Sequence, residues 1–528
     1  MKKENPIFTP PELVADWQAL KRTFIMPEND SGKAKLVKYM EQILFGLHDF
    51  LKAHVGITEE ISLKDLSKNF MDTRISKNPQ KKLADVITDL IVDIAPHAVN
   101  VASPYFIGHM TSAIPFFMVH LKTIAAALNQ NVVKVETSKV VSVLEKQVLA
   151  KIHRLIYNKS EDFYNEHVQD TQTMLGGFTE DGTIANLTAL WVARNVLLAP
   201  KDEFLGIEKE GIHAAYKAYG IERCVILLSK LGHYSLKKAC GILGIGNQNV
   251  ITIDMGNLKN IIKEIKLDKK TAIMAVVGIA GTTETGTVDP LYKIGEICHE
   301  NNIHFHVDAA WGGPTLLSEK YRHLLKGIEL SDSVTIDGHK QFYMPMTCGM
   351  VYFNSPHVLD NIVYHSNYVN RPGSVDLGMK SLAGSREANS LILDSALKIM
   401  GSGGYALLID HGIETAIKFA EEIKKRKNFE LITAPQLNIL TYRVFPHSLK
   451  LEPPSKELNQ KLNDINRTVQ RLQREAGKSF VSRTTLNDIV VLRVVIMNPM
   501  TNINILNEIL DEQEEIYERN KDCDCDPQ

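Results

Sequence analysis

The chain has 528 residues, enough for one large domain and one or two smaller ones. Apolar residues make up 44% and charged residues 23%, which is typical of a globular protein. The net charge of −2 provides no general attraction to nucleic acid or to an anionic membrane, so we expect neither as a partner.

The N-terminus and the cysteines indicate the cellular compartment. Residues 1–13 are polar and lack the apolar core of a signal peptide, and no apolar run approaches the roughly 20 residues of a membrane helix. Four of the six cysteines lie in apolar or helical contexts typical of reduced thiols. Cys523 and Cys525 lie in an acidic tail that fits a frayed terminus better than a metal site. We predict a cytoplasmic protein without a metal ion.

Residues 1–100 form a first segment with a helical pattern. Leu36, Met40, Ile43, Leu44 and Leu47 recur at three- and four-residue spacing. Such a segment has little chance of forming its own core, so we expect it to wrap around the partner subunit of a homodimer.

Residues 101–400 alternate between short β-rich runs and helical patterns. This alternation predicts an α/β fold with a mostly parallel sheet covered by helices. Strands are predicted at 224–229, 250–254, 272–278, 304–308, 333–337 and 349–353, and helices at 291–301 and 319–326. From about residue 401, long helices and two strands at 437–444 and 489–495 predict a smaller α+β domain, residues 401–528.

Two charged residues follow predicted strands, where the ligands of open α/β sheets gather. Asp308 ends one strand and is followed by small residues, so its carboxylate can meet a flat heterocycle. Lys340 comes just after another strand, and a lysine in a pocket is the residue type for Schiff-base chemistry. Pyridoxal-5′-phosphate (PLP) requires these two groups, an aspartate at its pyridine nitrogen and a lysine at its aldehyde.

Three further segments supply groups that the same cofactor needs. Gly182 and Thr183 open a helical pattern after a glycine-containing turn, and helix N-termini of this kind bind phosphate. His233 and Thr283 each follow a predicted strand and can contact the ring. By itself each residue could equally be an ordinary turn or capping residue. The prediction depends on five segments that end strands of one sheet and together serve one cofactor.

The most specific stretches are 306–313, 339–340, 233–238 and 244–246. Through them the sequence, from about residue 102 to the C-terminal helix, resembles the group II PLP-dependent decarboxylases. This family includes glutamate, aromatic amino-acid and some aspartate decarboxylases. The resemblance implies PLP fold type I, the aspartate aminotransferase-like fold, with a large domain built on a seven-stranded-type sheet. It also implies a homodimer whose active sites are built from two chains.

The resemblance assigns the cofactor contacts by position. Lys340 matches the Schiff-base lysine, Asp308 the partner of the pyridine nitrogen, and His233 the histidine that stacks on the ring. Ala310 matches the alanine packed against the other face of the ring, and Thr283 matches a threonine that contacts the cofactor. The phosphate cradle is matched by Gly182, Thr183 and His339.

Substrate recognition is implied by a second set of positions. Arg493 resembles the arginine that binds the substrate α-carboxylate, and a buried arginine in a strand otherwise needs a partner. Tyr105 and Phe106 belong to a segment that resembles the pocket wall of the family. Thr111 and Asn131 fall where glutamate decarboxylases contact the distal carboxylate, and His109 falls where they carry a glutamine. All three could equally be ordinary polar residues.

The sequence also departs from the family. Glu180 and Asp181 add negative charge to the phosphate turn, and we expect both to point away from the phosphate. Many relatives have a tyrosine that protonates Cα in a mobile loop, but residues 373–383 contain none. Tyr364 and Tyr368 lie upstream as substitutes, so the proton donor stays open.

The predicted reaction is decarboxylation of an L-amino acid. We favour L-aspartate, which gives β-alanine, because residues 103–157 as a whole resemble the bacterial PLP-type aspartate 1-decarboxylases. L-Glutamate is the next choice and an aromatic amino acid such as tyrosine follows. Two other classes are a PLP aminotransferase or lyase and a non-catalytic scaffold with the same fold. The intact Lys340, Asp308 and His233 argue against the scaffold.

Overall fold

A computed structural model describes residues 16–21, 30–52, 55, 63–365 and 375–521. Cys523, Cys525 and Tyr368, which the sequence analysis singled out, lie outside these residues. The N-terminal part contains α1 (Trp17–Lys21), α2 (Asp30–Lys52), α3 (Leu63–Lys68) and α4 (Leu83–Asp89), then a π-helix (Leu90–Ile94) and a 3-10 helix (Ala95–His97).

Few side chains of this N-terminal part are buried. Among its described residues, the buried apolar side chains up to position 97 are those of Val55, Ile87 and Ala95. Helix α3 buries none of its residues, and Phe45 of α2 is 77% exposed. The described helices therefore have little core of their own.

The large sheet has seven strands. They are β1 (Gly176–Thr179), β2 (Arg223–Ser229), β3 (Val250–Ile253), β4 (Thr271–Ile279), β5 (His304–Asp308), β6 (Ser333–Asp337) and β7 (Gly349–Phe353). Their order is β1-β7-β6-β5-β4-β2-β3, and β7 alone runs antiparallel to its neighbours. The predicted mostly parallel sheet of PLP fold type I is confirmed. Strand β1 was not predicted, because Gly-Gly-Phe-Thr has little strand propensity and is held by its pairing with β7.

Helices cover both faces of this sheet. They are α5 (Phe116–Leu128), α6 (Val135–Ser138), α7 (Val140–Tyr157), α8 (Glu161–His167), α9 (Gly182–Leu197), α10 (Ile207–Tyr219), α11 (Tyr234–Ile242), α12 (Leu258–Leu267) and α13 (Leu291–Asn301). One apolar core joins β2 and β4 to α9, α10 and α11, and a larger core joins the strands to α7, α12 and α13. The predicted helix 319–326 was wrong, since only a 3-10 helix forms there (Arg322–Leu325).

Helix α14 (Asn389–Lys425) links the large sheet to a smaller one. It is kinked at Gly401, whose φ of 65° and ψ of 176° are not helical. Within the described residues it is the one helix long and apolar enough, by length and composition, to cross a membrane. This is weak evidence for a membrane span, because Leu393 packs in the large core and Phe419 packs in the core of the smaller sheet.

The small sheet has four antiparallel strands, ordered β10-β11-β9-β8. The strands are β8 (Phe429–Thr433), β9 (Ile439–Val444), β10 (Ser482–Leu486) and β11 (Ile489–Val495), and the helices are α15 (Lys456–Ala476) and α16 (Ile503–Asn520). Strand β11 matches its prediction, whereas β8 and the polar β10 were not predicted. Ile107, although far away in sequence, packs in this core, and its N–H donates to the carbonyl of Phe480.

Short 3-10 helices complete the connections. They are Asn247–Asn249, Met255–Asn257, Gly313–Leu317, Arg322–Leu325, Ile328–Leu330, Val358–Ile362, Leu377–Lys380 and His447–Leu451. The division into segments 1–100, 101–400 and 401–528 remains a prediction.

The chain after β5 approaches β4 so closely that Gly312 has no room for a side chain. Its N–H donates to the carbonyl of Ala280, and a Cβ on Gly312 would collide with that same oxygen. We expect Gly312→Ala to lower the free energy of unfolding by about 1–3 kcal/mol, as overpacking does. Gly403 in α14 is the control, since a Cβ there meets nothing within 4 Å. Gly403→Ala should raise stability by about 0.5–1 kcal/mol. Urea unfolding measures both, and equal effects would contradict the close approach.

Candidate active site

A cavity of about 260 Å³ lies at the carboxyl ends of four neighbouring parallel strands, β2, β4, β5 and β6. Loops after these strands, together with the start of α9, form its walls. Nine of the residues predicted to bind the cofactor or the substrate line the cavity: His109, Gly182, Thr183, His233, Thr283, Asp308, Ala310, His339 and Lys340. The fold thus brings together side chains that are far apart in sequence.

Lys340 lies three residues after the end of β6. Its Nζ is 2.9 Å from Oδ2 of Asp337, whose side chain is only 3% exposed. The other oxygen of Asp337 is buried and has no hydrogen-bond partner among the described residues. The Lys340 side chain is one-fifth exposed, so the amine is held by one carboxylate and still faces the cavity.

Asp308 is the last residue of β5 and is 6% exposed. Its Oδ1 accepts from the backbone N–H of Ala310 at 3.1 Å, and its Oδ2 accepts from Nδ2 of Asn186 at 3.0 Å. Two N–H donors therefore orient the carboxylate. Asn186 was missed in the sequence, although a polar residue on the apolar face of a helix was a usable signal.

His233 caps the N-terminus of α11. Its Nδ1 lies 2.8 Å from Oγ of Ser235 and accepts from the Ser235 N–H at 3.4 Å. Burial lowers the pKa of His233, and the positive charge of Lys340 adds to this effect against the opposing charge of Asp308. The imidazole is therefore predominantly neutral at pH 7, with Nδ1 turned away from the cavity.

The start of α9 forms another wall of the cavity. A Cβ at Gly182 would lie 2.9 Å from Oδ2 of Asp337, so a larger residue does not fit without a shift. Glu180, one of the two carboxylates expected to point away from the phosphate, lines a separate pocket that includes Arg386. Asp181 instead lines the cavity, and its Oδ1 caps the helix by accepting from Ile184 N–H at 3.0 Å. The helix N-terminus remains a site for an anion.

Arg493, in β11, reaches the same region from the small sheet. It is 7% exposed, and its guanidinium donates to the carbonyls of Thr283 and Gly108 and to Oγ of Ser482. All three acceptors are neutral, and within the described part of the chain no carboxylate forms an ion pair with Arg493. Burial lowers its pKa to about 10, so the group still carries its charge at neutral pH.

The other predicted positions are divided between the cavity and its surroundings. The pKa of His109 is lowered by partial burial and by the positive charges of Arg493 and Lys340. The Tyr105 O–H donates to Glu508, and the Phe106 ring stacks on Phe480 with centroids 5.1 Å apart.

Neither Asn131 nor Thr111 lines the cavity of the single chain. Oδ1 of Asn131 accepts from the backbone N–H of Arg386, and its Nδ2 lies 3.4 Å from Oγ of Ser385. Tyr364, one of the two substitutes for the proton donor, donates to Glu208 and packs beside Trp191. It is held against α9 and α10.

The residues that line the cavity fit PLP. A lysine faces the cavity, a hydrogen-bonded carboxylate ends the adjacent strand, and the N-terminus of a 16-residue helix lies at the cavity with a glycine as its first residue. His339 completes this wall, with Nδ1 2.7 Å from the Cys348 carbonyl oxygen and Nε2 3.8 Å from Oδ2 of Asp337. Groups of three or more potential metal ligands are not found within the described ranges. The fold and site define a PLP-dependent enzyme of fold type I.

Comparison with known proteins gives the family. The chain matches the family described as "Pyridoxal-dependent decarboxylase conserved domain" over residues 65–445, more than half of its length, and it belongs to this family. The chain is 42% identical to aspartate 1-decarboxylase from Aliivibrio fischeri over 522 residues, which cover 95% of each protein. It is 27% identical to L-2,4-diaminobutyrate decarboxylase from Acinetobacter baumannii, covering 79% of this chain and 82% of that protein.

Solved structures share the whole fold. The crystal structure of a glutamate decarboxylase domain from Vibrio parahaemolyticus aligns with a TM-score of 0.79 at 21% identity, covering 96% of this chain and 100% of that chain. The predicted family, enzyme class and cofactor are confirmed: the chain is a PLP-dependent amino-acid decarboxylase by family.

We predict that Lys340 is the residue that binds PLP covalently. Borohydride reduction followed by peptide mass spectrometry should place the cofactor mass on the peptide that contains Lys340, because its amine faces the cavity beside Asp337. Lys340→Ala should lose this label. Lys230→Ala is the control, since that side chain is 67% exposed. A label on any other lysine would show that the assignment is wrong.

Proposed function

We propose that the protein converts L-aspartate to β-alanine and carbon dioxide. The observation that carries the proposal is the 42% identity to aspartate 1-decarboxylase, which extends over 95% of both chains and therefore includes every element that forms the site. The 27% identical relative acts on L-2,4-diaminobutyrate, so the family alone does not determine the distal group of the substrate.

The site residues divide the work of decarboxylation. Bound PLP supplies an electron sink for the bond that breaks at Cα. Asp308 would hold a proton at the pyridine nitrogen, Lys340 would hold the aldehyde carbon, and the N-terminus of α9 at Gly182 would hold the phosphate. Ala310 and His233 would cover the two ring faces, with Thr283 as a further contact.

Arg493 is suited to orient the α-carboxylate. Its guanidinium is charged and buried, and its three hydrogen bonds to neutral acceptors fix the plane of the group without cancelling its charge. A carboxylate that pairs with it gains a charge-assisted hydrogen bond. Such a contact sets the direction in which carbon dioxide leaves.

His109 is the best-placed candidate for the distal carboxylate, because it lines the cavity on the side of Arg493 and Lys340. Nearby positive charge favours an acidic substrate over a diamine or an aromatic amino acid. Thr111 and Asn131 remain candidates for a site completed by the partner subunit, and Tyr105 and Phe106 for its wall. Glutamate differs from aspartate by one methylene, which is worth roughly 1–3 kcal/mol, and is the second candidate.

The test is a comparison of substrates with the purified, PLP-loaded protein. Carbon dioxide release is measured with L-aspartate, L-glutamate, L-2,4-diaminobutyrate and L-tyrosine. We expect the highest kcat/KM with aspartate. A preference for glutamate would contradict only the proposed length of the substrate side chain. A preference for tyrosine or diaminobutyrate would contradict the proposal that the substrate is acidic. Keto-acid formation without carbon dioxide would indicate an aminotransferase.

His109→Leu should lower kcat/KM for aspartate by about 10-fold to 100-fold, the value of one hydrogen bond to a charged group. The matched control is His299→Leu, an exposed histidine on α13, which should leave the constant unchanged. If His109→Leu also keeps the wild-type value, His109 has no part in recognising the substrate.

We propose that two chains associate through the surface formed by α5 and the N-terminal helices. Helix α5 is mostly apolar, and apolar helices are normally buried, but it buries only Met118 and Ala125 of its 13 residues. Phe116 is 79% exposed. A second copy of the chain would cover these side chains and would complete the wall of the site.

Sedimentation velocity at micromolar concentration should show a dimer. Phe116→Asp should shift the protein toward monomer, because it would place a charge in an apolar interface. Leu267→Asp is the matched control, since Leu267 on α12 is 85% exposed and lies outside the proposed surface. An active wild-type monomer would contradict the proposal.

We also propose a cytoplasmic location. The four cysteines in the described part of the chain are all free and buried, as is usual for a protein in a reducing compartment.

A further inference from the structure

The side chain of Asn186, in α9, contacts Asp308 directly and also contacts Ser235, which in turn binds His233. It is 1% exposed. Its Nδ2 donates to Oδ2 of Asp308 at 3.0 Å and to Oγ of Ser235 at 3.1 Å, and its Oδ1 lies 2.9 Å from Nε2 of His306. Both amide hydrogens and one lone pair are therefore used, so the carboxamide is fixed at three points.

The charge of Asp308 determines which way the Asn186 amide faces. An ionised carboxylate only accepts hydrogen bonds, so Nδ2 must face Asp308 and Oδ1 must face His306. Nε2 of His306 therefore carries a hydrogen. Burial lowers the pKa of His306 to about 4, so the ring is neutral at pH 7 and its Nδ1 is an acceptor.

The same hydrogen-bond direction continues to two more side chains, Ser333 and His304. The hydroxyl of Ser333 is 2.9 Å from Nδ1 of His306 and donates to it. Its oxygen lies 2.8 Å from Nε2 of His304, which then donates in turn. Every donor from His304 to Asp308 points toward the carboxylate, and hydrogen bonds aligned in this way polarise one another.

A second branch leads from Asn186 to His233. Because Oγ of Ser235 accepts from Asn186, its own hydrogen is free to point at Nδ1 of His233, 2.8 Å away. The backbone N–H of Ser235 points at the same nitrogen. Nδ1 therefore accepts, and the single hydrogen of the neutral ring lies on Nε2.

We propose that Asn186 is a positioning residue that sets the hydrogen positions on both sides of the site, with Asp308 held as an acceptor and His233 held as a donor through Nε2. One carboxamide thereby couples a strand end to the cap of a different helix. Ser235 transmits the effect to His233, and His306 fixes the amide from behind.

The hydrogen on Nε2 of His233 also bears on substrate binding, and this one point rests on the proposed function. With Nδ1 occupied, the Nε2–H of His233 is the polar group that this ring offers to the cavity, and it suits an anionic partner such as a substrate carboxylate. The hydrogen positions themselves do not depend on which amino acid the enzyme consumes.

Neutron diffraction from deuterated holoenzyme crystals tests the hydrogen positions directly. We expect deuterium on Nε2 of His233 and of His306, and none on Nδ1 of either ring. Deuterium on Nδ1 of either histidine would overturn the proposal, whatever the substrate proves to be. Conversely, a preference for glutamate over aspartate would leave it standing.

Variants test whether the network supports the cofactor site. Asn186→Leu keeps the approximate size but removes both donors, and we expect it to raise the PLP dissociation constant about 10-fold or more. Ser235→Ala interrupts only the branch to His233. Its effect should be smaller and should not add to that of Asn186→Leu, because contacting members of one network are coupled.

The matched control is Asn466→Leu in α15. Asn466 is also fully buried and also makes three hydrogen bonds, to Val444 and Leu462, but it packs against the small sheet. We expect a lower thermal midpoint with an unchanged PLP dissociation constant. The positioning role fails if Asn186→Leu binds PLP like the wild type, or if Asn466→Leu weakens binding equally. If Asn186→Leu does not fold, Ser235→Ala and the neutron structure decide.

Discussion

The structure depends on one buried carboxylate that must stay hydrogen-bonded. Asp308 is 6% exposed, and an unpaired charge at that depth would be very costly. The donors are the N–H of Ala310 and Nδ2 of Asn186, which belong to the loop after β5 and to α9. The loop, the helix and the strand therefore have to meet at this point. Gly312 lets the same loop pack directly against the carbonyl of Ala280, just after β4.

Parallel strands explain why four loops reach one cavity. Neighbouring strands β2, β4, β5 and β6 run in the same direction, so their carboxyl ends share one edge of the sheet. His233, Thr283, Asp308 and Lys340 follow these four ends in turn. The proposed phosphate-binding wall is formed by a helix and not by a loop after a strand. The N-terminus of α9 lies at the same edge of the sheet, where Gly182 packs against Asp337.

The small sheet contributes the side chain of Arg493, which is held by backbone carbonyls. Arg493 extends from β11 and donates to the carbonyls of Thr283 and Gly108, so its position depends on a loop of the large sheet. Residues 105–107 run beside Phe480 and join the core of the small sheet. This explains why Tyr105 and Phe106 pack toward the small sheet.

The sequence alone determined the buried strands β5, β6, β7 and β11 and the charged residues at the ends of β5 and β6, because continuous apolar runs ending in Asp or preceding Lys and His are local signals. Tertiary structure alone decided strand β1, whose Gly-Gly-Phe-Thr pairs only because β7 lies beside it. Tertiary structure also decided that Asn186 bridges Asp308 and Ser235, and that Asn131 and Tyr105 lie outside the cavity lining. Most such contacts join residues more than a hundred positions apart, and the direction of a side chain is set by the elements packed around it, which local sequence does not specify.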